Sequence, residues 1–256
     1  MRVGVIGSPI DHSRSPQIHQ AAYAWLGLDW EYSAHQVEAS EVKDFVAGLD
    51  PTWRGLSVTM PCKEAILALG TPDPVVEALG VGNTVVFDGT PSSPQTTRIF
   101  NTDVTGVQML LSEIDPESEV RVLGNGATAR SSIFALARQG FARVQVQARD
   151  HVKSTQVSED AKTWGIEVVP PESTVDLLIS TIPSSTALEW VQGVSPQVIV
   201  DVLYHPWPTQ LAQFGQECGA RVFSGLDLLA AQAVGQVKFM TGNDIPFSVL
   251  RDAAEQ

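Results

Sequence analysis

A lysine stands out in the first half of the chain because it follows a predicted strand end. Lys63 comes after a strand over Leu56–Thr59 and falls in the first turn of a helix that the apolar spacing predicts over Pro61–Leu69. A helix N-terminus carries partial positive charge, so an ammonium is disfavoured there. A destabilised ammonium exchanges protons near neutral pH, which makes Lys63 a candidate acid–base group. The alternative is an exposed, solvated lysine.

Two serine hydroxyls lie at the start of the first predicted helix, which runs from Ser15-Pro16 to about Leu26. Ser15 is a suitable N-cap and Pro16 suits the first helical position, so Ser15 also has a purely structural explanation. Ser13 has no capping role in this prediction. Two hydroxyls beside a helix N-terminus indicate a site for a small carboxylate.

A glycine-rich turn marks the second half of the chain. It joins a strand over Val120–Leu123 to a helix over Ala127–Gln139 in the pattern G-x-G-x-x-A. The first glycine of such a turn permits the tight bend, the second lets a pyrophosphate approach the backbone, and the alanine allows close helix packing. The predicted cofactor-binding residues of the turn are Gly124, Asn125, Gly126, Ala127, Thr128 and Ala129.

Two further residues predicted to bind the cofactor follow the next strand, and they indicate different cofactors. They are Arg149 and Asp150. An arginine here accommodates the 2′-phosphate of NADP, whereas an acidic residue here binds the ribose 2′-hydroxyl of NAD. An arginine can also stack on adenine or lie in solvent. We favour NADP and keep NAD as the alternative.

The elements that must position these residues alternate between short apolar strands and helices. Further strands are predicted over Val3–Ile6, Trp30–Val37, Thr84–Phe87, Val144–Gln147, Leu177–Ser180 and Val198–Val202, and further helices over Glu41–Leu49, Val104–Ile114, Leu226–Met240 and Pro246–Ala254. This alternation indicates βαβ units, parallel sheets and the α/β class. We expect two domains with a cleft between them. One is an N-terminal α/β domain of residues 1–103 plus 226–256, and the other is a Rossmann-like dinucleotide-binding domain of residues 104–225.

Composition narrows the classes of partner. The chain has 256 residues and a net charge of −13, which argues against binding to nucleic acid or to an anionic membrane surface. The two cysteines, Cys62 and Cys218, have no zinc-ligand spacing, and no metal site is expected. No apolar stretch approaches the roughly 20 residues of a membrane span. We expect a cytoplasmic protein with reduced thiols and a small-molecule substrate; its oligomeric state is left open.

Six short motifs, in chain order, resemble those of the shikimate dehydrogenase family. They are Ser13-Arg14-Ser15, Ser57–Lys63, Asn83-Thr84, Asn101-Thr102-Asp103, Asp201–Pro206 and Gly225–Ala233. They resemble, respectively, the patterns S-x-S, N-V-T-x-P-x-K, two N-T motifs, D-x-x-Y-x-P and G-x-x-M-L-x-x-Q-A. The resemblance covers most of the chain.

The resemblance implies a function and a set of site residues. The reaction would be the NADP-dependent, reversible reduction of 3-dehydroshikimate to shikimate in aromatic amino-acid biosynthesis. Lys63 and Asp103 would be catalytic. The residues implied to bind substrate are Ser13, Ser15, Thr59, Asn83, Gln232 and Tyr204. For Tyr204 the alternative is a core tyrosine whose hydroxyl reaches the surface.

The chain also departs from the family pattern. Ser57 replaces the usual asparagine, Ile99 replaces a common glycine, and Asp150 replaces the threonine associated with NADP. The alternatives that remain are an NAD-dependent relative acting on quinate or an aminated shikimate, and a dinucleotide-binding sensor without catalysis.

Overall fold

The computed structural model describes residues 1–255. Its strands are β1 (Arg2–Gly7), β2 (Glu31–Gln36), β3 (Trp53–Val58), β4 (Thr71–Pro72), β5 (Thr84–Phe87), β6 (Thr97–Phe100), β7 (Val120–Leu123), β8 (Arg143–Gln147), β9 (Glu167–Val169), β10 (Leu177–Ser180), β11 (Val198–Asp201) and β12 (Arg221–Phe223). Its α-helices are α1 (Ser15–Trp25), α2 (Val42–Ala47), α3 (Pro74–Leu79), α4 (Thr102–Leu110), α5 (Ala127–Arg138), α6 (His151–Trp164), α7 (Ser184–Trp190), α8 (Gln210–Glu217), α9 (Gly225–Thr241) and α10 (Phe247–Glu255).

The chain forms two compact units. The first contains Met1–Gly106 and Leu229–Gln256, and the second contains Val107–Leu228. Each unit has its own six-stranded sheet. The predicted α/β class is therefore confirmed. Within the described residues, no helix is long and apolar enough to cross a membrane.

The sheet of the first unit is mixed, with the order β2-β1-β3-β5-β6-β4. Strands β1, β2 and β3 are parallel, but β5 pairs antiparallel with both β3 and β6. The predicted parallel pairing therefore holds for β1, β2 and β3 but not for β5. The alternation of apolar residues marks strands without fixing their direction. Strands β5 and β6 form a hairpin whose connection contains only a short 3-10 helix, Pro94–Thr96, and no α-helix.

Reversal of β5 has a direct consequence for the site. Ser57 near the end of β3 pairs with Thr84 at the start of β5, and Thr84 pairs with Phe100 at the end of β6. The residues that follow β1 and β3, precede β5 and follow β6 therefore lie at one edge of the sheet. The loop that joins β5 to β6, residues 88–96, lies at the opposite edge.

Apolar packing holds this sheet in place. Ile6, Leu56 and Val85 from three neighbouring strands are fully buried in one cluster, together with Ile66 from the 3-10 helix Ala65–Leu69. Helix α10 packs against α1, so the end of the chain completes the first unit. Burial of aliphatic side chains of this size typically stabilises a fold by about 1.5–3 kcal/mol each.

The sheet of the second unit is entirely parallel, with the order β12-β11-β10-β7-β8-β9. This is the strand order of a doubly wound dinucleotide-binding fold, with the glycine-rich turn after the first strand. The predicted Rossmann-like architecture is confirmed. Four helices were not predicted from the sequence: α3 in the first unit, and α6, α7 and α8 in the second. The longest, α6, buries only Val157 and Ala161, so its apolar periodicity is weak.

Candidate active site and cofactor turn

Lys63 and Asp103 form an ion pair in the first unit. Lys63 Nζ lies 2.5 Å from Asp103 Oδ2, and the two side chains are only 14% and 10% exposed. Asp103 lies in the first turn of α4, where the positive end of the helix favours a carboxylate. The sequence predicted that this helix begins at Val104. In the structure it begins at Thr102, so Asp103 lies inside the helix. The two groups that the sequence singled out for catalysis are thus in direct contact.

The local structure around Lys63 differs from the prediction. Residues 61–64 form turns, and a 3-10 helix follows only from Ala65 to Leu69. The predicted α-helix over Pro61–Leu69 is wrong, and with it the argument that a helix N-terminus acts on Lys63. Gly70 ends the segment against the backbone of Thr97, where a Cβ would clash. What places Lys63 is this turn, together with its contact to Asp103.

Asn83 links this ion pair to the strands beneath it. Its Nδ2 donates to Asp103 Oδ1 at 2.8 Å. Its Oδ1 accepts the backbone N–H of Thr102 at 2.7 Å and the hydroxyl of Thr84 at 2.8 Å. A backbone N–H can only donate, so the contact with Thr102 fixes which end of the amide faces Asp103. Asn83 is buried, and its orientation is fully determined.

Gln232 on α9 joins the same cluster, which is where the resemblance placed it. Its Oε1 accepts from Asn83 Nδ2 at 3.2 Å and from the Thr102 hydroxyl at 3.1 Å, while its Nε2 donates to the Leu229 carbonyl. Gly106 on α4 permits this approach, because a Cβ there would lie 2.9 Å from the Gln232 backbone nitrogen. The cluster therefore combines one cation, one carboxylate and two amides.

Sequence reasoning missed a second polar layer beneath this cluster. Gln236 contacts Ser57, His19 and the Asn83 carbonyl, and both His19 and Gln236 are buried. Their spacing offered a signal: Gln236 lies four residues after Gln232 on α9, and His19 lies four residues after Ser15 on α1. Residues at this spacing share one helix face.

The serine pair has a different local structure from the one predicted. Arg14 occupies the N-cap position of α1, and Ser15 is its first residue. Ser13 Oγ accepts the Ser15 N–H at 3.3 Å. Ser13 therefore has the capping-type role that the sequence assigned to Ser15, and the Ser15 hydroxyl is the one left without it. Ser15 is buried and Ser13 is half-buried.

Thr59 lies beside the loop that leads to this serine pair. It directly follows β3, and its N–H donates to the Ile6 carbonyl of β1 at 2.9 Å. The Ser8 N–H likewise donates to the Met60 carbonyl at 2.9 Å. The chain segments after β1 and β3 therefore run together at the site edge of the sheet, with Thr59 half-buried between them.

The glycine-rich turn has the geometry of a phosphate-binding turn. Gly124 has a φ of +111°, and a Cβ there would collide with the Thr181 hydroxyl. Gly126 is the N-cap residue of α5, and a Cβ on it would meet nothing within 4 Å. Ala129 is fully buried where α5 packs on the sheet. Residues Ala127 and Thr128 form the first turn of α5, whose free N–H groups suit an anion.

A cavity of about 200 Å³ opens over this turn. It is lined by Gly124, Asn125, Gly126, Ala148, Arg149, Asp150, Thr181, Ile182, Thr186 and Trp190. Open space over the helix N-terminus and an arginine at the rim fit a phosphorylated dinucleotide.

Asp150 has a structural role in addition to the one predicted. It is the N-cap of α6, and its Oδ1 accepts the Lys153 N–H at 3.0 Å. Its backbone carbonyl accepts from Asn125 Nδ2 at 2.7 Å, which ties the glycine-rich turn to the start of α6. Arg149 is exposed beside it. The capping contact gives the acidic residue a function that needs no ribose.

Tyr204 lies in the second unit, half-buried in the loop between β11 and α8. The buried Asp201 is the last residue of β11, and its side chain accepts the Leu203 N–H at 3.2 Å and the Thr209 hydroxyl at 2.6 Å. Burial raises the pKa of the Asp201 carboxyl. The two ends of the loop are thus held together around Tyr204.

Comparison with known proteins agrees with this geometry. Residues 5–85 match the substrate-binding domain of shikimate dehydrogenase. The NADP(+) shikimate dehydrogenase of Natronomonas pharaonis is 31% identical over 267 residues, which cover 98% of this chain and 97% of that protein. The chain belongs to the shikimate dehydrogenase family.

Solved structures of the shikimate dehydrogenase family share the whole fold. The crystal structure of the Mycobacterium tuberculosis enzyme has a TM-score of 0.91 and 35% identity, covering 99% of this chain and 98% of that one. The Thermus thermophilus enzyme, solved in complex with NADP(H) and shikimate, has a TM-score of 0.85 and 27% identity, covering 100% and 98% of the two chains. The resemblance that the motifs indicated is therefore confirmed.

Proposed function

We propose that this protein catalyses the reversible, NADP-dependent reduction of 3-dehydroshikimate to shikimate. The observation that carries the proposal is the contact of Lys63 with Asp103 inside a cluster of oriented amides. An acid–base pair beside several fixed hydrogen-bonding groups suits a polyhydroxylated ring with a ketone. Membership of the shikimate dehydrogenase family supports the same reaction.

The proton transfer is assigned to Lys63. In the direction of reduction, its ammonium donates a proton to the former ketone oxygen and stabilises the negative charge that develops there. In the reverse direction the amine accepts that proton. Asp103 holds Lys63 and accepts a hydrogen bond from the adjacent ring hydroxyl. When bound, NADP(H) supplies or takes up the hydride.

The remaining substrate contacts are assigned by chemistry. Ser13 and Ser15 offer hydroxyls near a helix N-terminus, which suit the ring carboxylate. Thr59, Asn83 and Gln232 are assigned to the ring hydroxyls, and Tyr204 is a further substrate-binding residue from the second unit. This assignment makes the first unit the substrate domain and the second the cofactor domain.

NADP is the proposed cofactor, and the turn residues Gly124–Ala129 are proposed to hold its pyrophosphate. The family relatives named above support NADP, because one carries it in its name and another was solved with it. Arg149 at the rim of the cavity supplies the positive charge that a 2′-phosphate needs. Asp150 already caps α6, which weakens the argument that it binds a ribose hydroxyl. We place the protein in the cytoplasm, where the unpaired thiols of Cys62 and Cys218 would stay reduced.

A four-way assay tests this function. Purified protein is given shikimate or quinate, each with NADP or NAD, and reduced nicotinamide is followed by its near-ultraviolet absorbance. We expect the highest kcat/KM with shikimate and NADP. A preference for quinate with NAD would move the protein to the alternative substrate class. Tight NADP binding without turnover of either acid would identify a sensor instead.

A further inference from the structure

A chain of hydrogen bonds beneath Asp103 contains three residues, His19, Thr84 and Gln236, to which the mechanism above gives no role. We propose that Gln236 and His19 are positioning residues, which hold the Asn83 amide and through it the Asp103 carboxylate in the orientation that proton transfer by Lys63 requires. This inference rests on the proposed dehydrogenase function in those tests that measure turnover.

Gln236 is the centre of the chain, and its orientation is unambiguous. Its Oε1 accepts from Ser57 Oγ at 2.8 Å and from His19 Nε2 at 3.0 Å. Its Nε2 donates to the Asn83 carbonyl and to Thr84 Oγ1, both at 3.2 Å. The Asn83 carbonyl can only accept, so it fixes which end of the Gln236 amide faces it. Gln236 is 1% exposed, so its four bonds are shielded from bulk solvent.

The chain continues from Gln236 to Asp103 with a single polarity. Thr84 Oγ1 accepts from Gln236 and donates to Asn83 Oδ1 at 2.8 Å. Asn83 Nδ2 then donates to Asp103 Oδ1 at 2.8 Å, and Asp103 Oδ2 accepts from Lys63. Every donor points toward the carboxylate, so each bond polarises the next. A change at Gln236 is therefore transmitted to the Asp103 carboxylate, whose other oxygen faces Lys63.

His19 fixes the far end of the chain. Its Nε2 must donate, because the Gln236 atom that it faces is an acceptor. Its Nδ1 accepts from the Tyr23 hydroxyl at 3.4 Å, and its ring stacks on Tyr32 with centroids 4.3 Å apart. Burial lowers the pKa of His19 to about 4, so the ring is neutral at neutral pH. A neutral ring with one tautomer and one orientation is a rigid donor.

Three variants test the chain through turnover. Gln236→Met removes all four hydrogen bonds of Gln236 and keeps a side chain of similar length. His19→Leu removes the N–H that donates to Gln236, and His19→Gln keeps an N–H near the position of Nε2. We expect kcat to fall about 10-fold in the first two, with the KM for shikimate changed by less than about 3-fold and the KM for NADP unchanged. His19→Gln should recover kcat to within about 2-fold of the original protein.

A matched control separates positioning from a general loss of stability. His35 lies in the same unit, is half-buried and bonds Ser33 Oγ at 2.7 Å, with no link to Asn83. His35→Leu should leave kcat unchanged. Should His19→Leu not fold, Thr84→Val breaks the same chain between Gln236 and Asn83 with a side chain of the same shape. A kcat that stays normal in both Gln236→Met and Thr84→Val would overturn the proposal.

A readout without turnover keeps this inference separate from the proposed function. The side-chain amide resonances of Asn83, assigned by their loss in Asn83→Ala, report its bond to Asp103. These resonances should shift in Gln236→Met and in His19→Leu. In His19→Gln they should lie closer to their positions in the original protein than they do in His19→Leu. Unshifted resonances would refute the chain even in an active enzyme. If the original protein does not oxidise shikimate, the proposed function fails, and these resonances alone decide the positioning role.

Discussion

Lys63 and Asp103 lie 40 residues apart in sequence, yet their side chains meet. The sequence named both residues, but for Lys63 it gave the wrong physical reason, because the expected α-helix is a turn. The contact depends on the reversal of β5, which brings the end of β6 beside the end of β3. The position of Lys63 in the sequence and, for Asp103, the family resemblance indicated the participants. Neither indicated the route by which they meet, because strand direction is a tertiary property.

Replacement of Lys63 tests the proton-transfer role. In Lys63→Ala we expect kcat to fall by about 10² or more, because general acid–base help has at least that value, while the KM for shikimate stays near normal. Steady-state kinetics measures both constants. Lys238→Ala is the control, since Lys238 makes only an exposed ion pair with Asp244. Normal turnover with a raised KM in Lys63→Ala would assign Lys63 to binding alone.

Arg149 tests the choice of cofactor. In Arg149→Ala we expect a weaker affinity for NADP, by about 10-fold, with a much smaller change for NAD, because only NADP carries the 2′-phosphate. Titration of protein fluorescence with each cofactor measures the two dissociation constants. Arg138→Ala is a control with an exposed arginine in the same unit, outside the cavity lining. Equal losses for NADP and NAD would mean that Arg149 stacks on adenine.

At the scale of elements, the glycine-rich turn was the feature best predicted from sequence. Its strand, turn and helix lie where the G-x-G-x-x-A pattern placed them. Helix α6, which follows the next strand β8, was missed because it is polar on most of its surface. Asp150, which the sequence assigned to the choice of cofactor, caps this helix. That capping role could not be predicted without predicting the helix.

The two glycines of the turn should respond differently to alanine. Gly124 has a positive φ and would clash with Thr181, so Gly124→Ala should lower the free energy of unfolding by about 1 kcal/mol or more. Gly126 has open space around it, so Gly126→Ala should fold normally. We expect its affinity for NADP to fall by about 10-fold, because the added methyl group would contact the phosphates. Thermal melts and cofactor titration measure the two effects. Normal NADP affinity in Gly126→Ala would show that the phosphates lie elsewhere.

At the scale of the whole molecule, His19 makes stability depend on pH. Its pKa in the folded protein is about 4, against 6.5 for an unperturbed histidine, because burial disfavours the charged ring. The unfolded chain therefore binds more protons between these pH values, and stability is lost as pH falls through them. The loss amounts to about 3 kcal/mol when the pH is below both values. Tyr23, Tyr32 and Gln236, which face His19, are uncharged in this range.

Comparison with His19→Gln isolates this contribution. Burial raises the pKa of Asp73 and Asp201, which acts in the opposite direction, but both groups are the same in the two proteins. Urea unfolding from pH 7 to pH 4 should show the original protein losing more stability than the variant. Parallel curves for the two proteins would mean that His19 has the same pKa in the folded and unfolded states.

The loop that joins β5 to β6 is a suitable place to attach this enzyme to a surface. This loop, residues 88–96, leaves the sheet at the edge remote from Lys63 and Asp103. A peptide tag or a surface linker inserted there would attach the protein to a bead or sensor chip while its reacting groups stay unobstructed. Immobilised catalyst prepared this way should retain its specific activity.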